Sequence, residues 1–134
     1  MINIKNIVII IICIVALAGG FFGIKYLISL YNYKKIVSEI DINSVDLSNV
    51  HDGTYTGSFD AIFVGAEVEV TVKNKKITDI KLLNHKTERG KPAEVIVDDV
   101  KKKQSLQVDA ISGATNSSKV ILKAIENALE SGES

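Results

Sequence analysis

The chain divides first by the spacing of its apolar residues. From Ile7 to Ile24 no side chain is charged or strongly polar. At roughly 1.5 Å of rise per residue, that run predicts a helix just long enough to cross the hydrocarbon core of a membrane. Tyr26, Tyr31 and Tyr33 follow, mixed with Lys25, Lys34 and Lys35, as at a membrane–water interface. Lys25 can extend its charge outward if the span continues toward Leu30. Ala16-Leu17-Ala18 before Gly19 has the small-residue pattern of a signal-peptide cleavage site. Phe21, Phe22 and Ile24 continue the apolar run past it, so a retained anchor is expected. Residues 34–50 read as a helical extension and then a polar linker, Asp41 to Asn49.

Beyond His51 the apolar period changes. Strand signals begin at Thr54, and Ala66, Val68, Val70 and Val72 alternate with Glu67, Glu69 and Thr71, which predicts a strand with one face buried. Asn74-Lys75 reads as the turn to a second strand, Ile77 to Leu83, because Asn tolerates positive φ. His85 to Lys91 is polar and reads as a loop. Pro92 suits the first turn of a helix reaching Lys103, with Ile96 and Val100 inward. Ile121, Ile125, Ala128 and Leu129 then repeat at helical spacing, with Lys123, Glu126 and Glu130 expected outward and the end near Ser131-Gly132. Strands followed by helices without βαβ alternation predict an α+β fold. The expected architecture is a small antiparallel sheet packed with two or more helices, preceded by one N-terminal transmembrane helix. Residues 1–33 form the anchor, 34–50 the linker and 51–134 the domain.

Composition narrows the function. Sixteen Lys+Arg balance sixteen Asp+Glu, but every acidic residue lies from Glu39 onward, so the part outside the anchor is slightly acidic. No basic stripe is interleaved with aromatics, and no nucleic-acid partner is expected. Cys13 lies inside the apolar run and is the only cysteine, which leaves no disulfide and no cysteine metal site. His51 and His85 are too sparse for zinc. Glu88, Asp98 and Asp99 read as surface charges.

The stretch Asp109 to Thr115 carries the candidate chemistry. It reads as the end of a short apolar strand, a Ser112-Gly113 turn and a helix opening at Thr115 or just after. Small residues (Ser112, Gly113, Ala114) would let a phosphate approach the backbone, and the free N–H groups and dipole at a helix start favour an anion. Ser117 and Ser118 stand near that start. The plainer reading is that Ser112 or Thr115 only caps the helix. Asp109, six residues before Thr115, can accept local hydrogen bonds as aspartates in turns usually do. Thr115 has no histidine near it in sequence, so its hydroxyl is a poor nucleophile on its own. No catalytic residue is expected.

Asp109-Ala110-Ile111-Ser112-Gly113-Ala114-Thr115 resembles the flavinylation motif of the FMN-binding domain family, which includes the flavin-carrying subunits of the sodium-pumping NADH:quinone oxidoreductase and the Rnf complex. His51-Asp52-Gly53-Thr54-Tyr55-Thr56-Gly57 resembles the family's opening strand and Ile77-Thr78-Asp79-Ile80 a later one, so the resemblance covers about residues 51–130. The family often has Asp-Gly where this chain has Asn74-Lys75. The resemblance implies FMN joined to Thr115 by a phosphoester bond that a separate flavin transferase installs. Asp109, Ser112, Gly113, Ala114, Ser117 and His85 are the other expected cofactor-binding residues. Tyr55, Phe59 and Phe63 are the aromatics available to a flavin ring, with no Trp.

The function so implied is a membrane-anchored electron carrier working with redox partner proteins or a quinone-linked membrane dehydrogenase, not a stand-alone enzyme. A noncovalent FMN-binding reductase, or a non-flavin membrane-tethered binding module of the same fold, is the alternative. Lysines after the span would leave the domain in the cytoplasm by the positive-inside rule; the family resemblance implies the extracytoplasmic side, and that side is expected here.

Overall fold

The computed structural model describes residues 1–133. Helix α1 (Ile4–Glu39) is 36 residues long, about 54 Å at the usual rise. It is long and apolar enough to cross a membrane, and its most apolar window is wholly exposed. The helix outlasts that window because apolar residues continue on one side only. Leu30, Tyr33, Ile36 and Val37 are half-buried or buried against the domain, while Tyr31, Asn32, Lys34 and Lys35 stay in solvent. After Ile40 the chain is extended apart from a short 3-10 turn at Leu47–Asn49, whose leading Asp46 accepts from Ser48 N.

Strands β1 (Gly53–Asp60), β2 (Gly65–Lys73) and β3 (Lys76–Lys86) form an antiparallel sheet in the order β1-β2-β3. The alternation in β2 works as the sequence implies: Val68, Val70 and Val72 are buried and Glu67, Glu69 and Thr71 are not. Asn74 and Lys75 take φ of 52° and 62° in the tight turn to β3, the left-handed pair such a turn requires. Strand β3 runs past the expected Leu83. Register shifts opposite Thr71/Val72 and Glu67/Val68 leave Thr78 and Leu83 as extra residues, and each bulge reverses which side faces in. That reversal hides the end of the strand from a period-two reading. It also makes His85 part of β3, paired with Ala66, instead of part of a loop.

The second turn of sequence around Pro92 is a 3-10 helix (Lys91–Val95) that leads into α2 (Ile96–Lys103). Ile96 and Val100 are fully buried. Helix α2 ends at Gln104, whose left-handed backbone turns its side-chain amide onto β3: Oε1 accepts from Ile77 N at 2.7 Å and Nε2 donates to Ile77 O at 2.8 Å. Residues 107–111 have no regular secondary structure and pair with no strand, so the apolar strand end expected before the motif is absent; Val108 and Ile111 pack on the core edge instead.

Helix α3 (Thr115–Glu130) lies across β1 and β2 while α2 lies on β3, so all the packing helices cover one face of the sheet. Ile121, Ile125 and Leu129 are buried in the core, each contributing about 1.5–3 kcal/mol of transfer free energy. At Gly57 the helix touches the strand backbone to backbone: a Cβ there would overlap Ala124 O and Ala128 N. Glu126, expected outward, is fully buried. The extended segment after α1 crosses that side of α3, and Glu126 accepts from Asn43 Nδ2 (3.0 Å), Asn43 N (3.3 Å) and Lys123 Nζ (3.1 Å). Lys123 also donates to Asp41 O at 3.0 Å.

Two outcomes follow from this packing. Gly57→Ala is expected to lower stability by about 3 kcal/mol, the upper range for overpacking, as measured by chemical denaturation of the full chain in detergent. Desolvation, then the Glu126 charge, raises the Glu130 carboxyl above the ordinary glutamate range. A raised carboxylate destabilises the folded state once ionised, so the cost is absent below its unfolded pKa and complete above its folded one. Glu130→Gln should therefore raise Tm at pH 7, and the gain should vanish below about pH 4.

Candidate functional site

The motif forms a turn with two faces. Gly113 has φ of +78° and open space where a Cβ would stand, so conformation, not crowding, calls for glycine there. Ala114 is the N-cap of α3 and provides no side-chain cap; neither Ser112 nor Thr115 fills that role. Ser118 braces the turn from inside. Its buried Oγ accepts from Ile111 N at 2.9 Å and donates to Ala114 O at 2.8 Å. The first backbone bond of the helix runs from Ser118 N to Ala114 O at 2.9 Å, which leaves the N–H groups of Thr115, Asn116 and Ser117 for a ligand or solvent.

A pocket of about 470 Å³ opens at this helix start, within the range of small-molecule sites. Gly113, Ala114, Thr115, Asn116 and Ser117 line one side, and Thr87, Glu88, Arg89 and Gly90 the next. The loop sits tight on α3: Thr87 Oγ1 accepts from Gly90 N at 2.8 Å and lies 3.2 Å from Ser117 Oγ, and a Cβ on Gly90 would collide with Ser117 Oγ. Ser117 is thereby buried, facing the loop. Arg89 is the chain's only arginine, and its planar fork of donors matches phosphate.

The remaining wall is aromatic and apolar: Phe63, Val64 and, from α1, Tyr26, Leu30 and Tyr33. Phe63 follows Ile62, whose φ of 69° is rare for a β-branched residue. The turn closes through Phe63 N to Ala61 O at 2.8 Å and Ala61 N to Val64 O at 2.7 Å. It brings the Phe63 ring to 5.6 Å from Tyr33, edge to face, and 5.9 Å from Tyr26.

Of the residues expected at a cofactor, Thr115, Gly113, Ala114 and Ser117 meet at this pocket. Asp109 and Ser112 lie on the other face of the turn, lining a shallower hollow with Asp99, Lys102 and Lys103. His85 is not brought to either. Its side chain is 2% exposed, with Nδ1 3.2 Å from Glu94 Oε1. Tyr55 and Phe59 pack against the core, so Phe63 is the one domain aromatic at the pocket. Arg89 and the tyrosines of α1 were not singled out from sequence. Tyr26, Leu30 and Tyr33 repeat at helical spacing, a signal present in the chain but masked by their reading as a membrane interface.

Fold and pocket together define an α+β ligand-binding domain carried on an apolar N-terminal helix. Residues 65–130 match the model of the FMN-binding domain family, a span from the first residue of β2 to the last of α3, and the domain belongs to that family. The matched span leaves out β1, whose opening residues had entered the resemblance. Neither the curated proteins nor the solved structures yield a match to the chain. The residues fit FMN: free helix N–H groups, Arg89 and Thr115 suit its phosphate, and the aromatic wall suits its ring. With α1, the chain fits a membrane-anchored FMN-binding protein.

Removing the Ser118 brace tests whether the turn depends on it. Ser118→Ala leaves the Ile111 N–H without its side-chain acceptor, and is expected to cost about 1–3 kcal/mol in denaturant unfolding.

Proposed function

We propose that the protein is a membrane-anchored electron carrier with FMN joined to Thr115 through a phosphoester bond. The observation that carries this reading is the position of Thr115 itself: first residue of α3, at the free N–H groups, on a pocket whose other end is aromatic. In the bond, Thr115 Oγ1 joins the FMN phosphorus as the P–O–P bond of a flavin-dinucleotide donor breaks and the nucleoside monophosphate leaves with the hydroxyl proton, so the chain gains FMN less one water. The domain supplies no histidine to that hydroxyl, since His85 is turned toward Glu94. That fits a hydroxyl modified by another enzyme, and a separate flavin transferase, as the family resemblance implies, is the modifying partner. Bound FMN supplies one- and two-electron chemistry.

The chain's own residues hold and screen the group. Backbone N–H groups and Arg89 offset the phosphate charge, and Phe63 with the tyrosines keeps water from one side of the ring. Electrons pass to and from redox partner proteins or a quinone-linked membrane dehydrogenase. We place the domain on the outer side of the cytoplasmic membrane, on the resemblance to the flavin-carrying subunits and against the lysines that follow the span.

Co-expression of the full chain with a flavin transferase, followed by intact-mass measurement in detergent, tests the tether. A gain of one FMN less one water is expected, abolished in Thr115→Ala and retained in Thr115→Ser. Arg89→Gln should lower the loaded fraction several-fold without abolishing it. Flavin that co-purifies but separates on denaturation would indicate the noncovalent reductase. No flavin at all, with the transferase active on a control, would indicate a non-flavin binding module.

A further inference from the structure

The pocket at Thr115 is not made by the domain alone. Tyr26, Leu30 and Tyr33 stand at i, i+4 and i+7 on one side of α1, which aligns them along a single helical stripe, and all of them line the pocket. The stripe continues into the domain contact through Ile36 and Val37. Its position is pinned beside the motif: Asn116 Nδ2 donates to Tyr33 OH at 3.0 Å, one residue from Thr115. On the other side Tyr33 and Tyr26 meet the Phe63 ring at 5.6 and 5.9 Å. Tyr26 lines the pocket and nevertheless remains 59% exposed, so its neighbours leave much of its surface uncovered.

The polar end of the pocket and this aromatic end differ in chemistry, and a ligand fixed by phosphate at Thr115 has one apolar direction in which to lay a ring. We propose that the anchor helix completes the flavin site: Tyr26 and Tyr33 of α1, with Phe63, form the wall that receives the isoalloxazine ring. The inference rests on the FMN reading above and adds to it a specific location. Tyr26 comes two residues after Ile24, the end of the uncharged apolar run, so the ring lies within roughly a nanometre of the membrane boundary at 1.5 Å of rise per residue. The anchor is then a part of the redox site and not only a tether for it.

The test uses the full chain, loaded with FMN and held in phospholipid nanodiscs, with intact mass giving the fraction loaded. The readout is flavin fluorescence per bound FMN, because a tyrosine in contact with an excited flavin quenches it by electron transfer. Tyr26→Leu and Tyr33→Leu should each raise the emission, and the double variant several-fold. Tyr26→Trp should lower it, and opposite shifts at one position do not come from loss of fold. Tyr31→Leu, on a face outside the pocket and 68% exposed, should leave it unchanged. Equal emission in loaded wild type and in all the Tyr26 and Tyr33 variants would overturn the aromatic wall while leaving the tether standing. A wild-type chain that takes up no FMN would overturn both readings.

Discussion

The position of α3 on the sheet governs the rest of the molecule. At Gly57 the helix backbone meets the strand backbone with no room for a methyl group, so α3 cannot slide along β1 without opening the core. Its far end is held as well, where His51 N donates to Gly132 O at 3.0 Å. The helix start is thereby delivered to the end of the sheet where Asp60, Gly65 and Lys86 lie in register. Both connecting segments that line the pocket, residues 61–64 and 87–90, leave the strands at that same end. A local motif thus becomes a site because a distant glycine sets the depth at which the helix rests.

The segment between anchor and sheet is tied to the same helix. Asn43, Asp41 and Lys123 converge with the buried Glu126, and Val50 bridges to Glu133. Burying a carboxyl group costs several kcal/mol unless its oxygens are satisfied, and here two groups of Asn43 and one lysine satisfy them. That requirement fixes where residues 41–43 run. It follows that α1 reaches the pocket along a defined path: its last turns lie against α3 because the chain that leaves them is bonded to α3.

Much of this was legible in the sequence, and the misses share a cause. The alternation of Val68, Val70 and Val72, the Asn74-Lys75 turn, and the Ile121/Ile125/Leu129 stripe are local periodicities, and each formed as its spacing implies. The turn at Gly113 and a helix opening at or just after Thr115 were also plain from residue types. What escaped was set by partners distant in the chain. Glu126 looks outward on a helical wheel and is covered by residues more than eighty positions earlier. His85 looks like a loop residue until a bulge at Leu83 rotates it inward against Glu94. Arg89 is one polar residue among several, and only the folded loop brings it to the pocket that Thr115 lines. Asp109 and Thr115 belong to one sequence motif, yet the turn between them sends them to opposite faces.

That separation bears on the proposed tether. The pocket wall is shared between a domain and a helix that meets it through a narrow seam, and Tyr26 keeps more than half its surface in solvent. Affinity built on such a wall would fall with any tilt of the helix that carried the aromatic surface away from the phosphate end. The proposed bond at Thr115 would remove that dependence, since a tethered group returns to the wall at the high effective concentration of an intramolecular partner. The hollow on the opposite face, lined by Asp109, Ser112 and Lys102, takes no residue from α1. The turn therefore separates two surfaces, the pocket that Thr115 lines and the hollow that Asp109 and Ser112 line, and only the first is the proposed cofactor site.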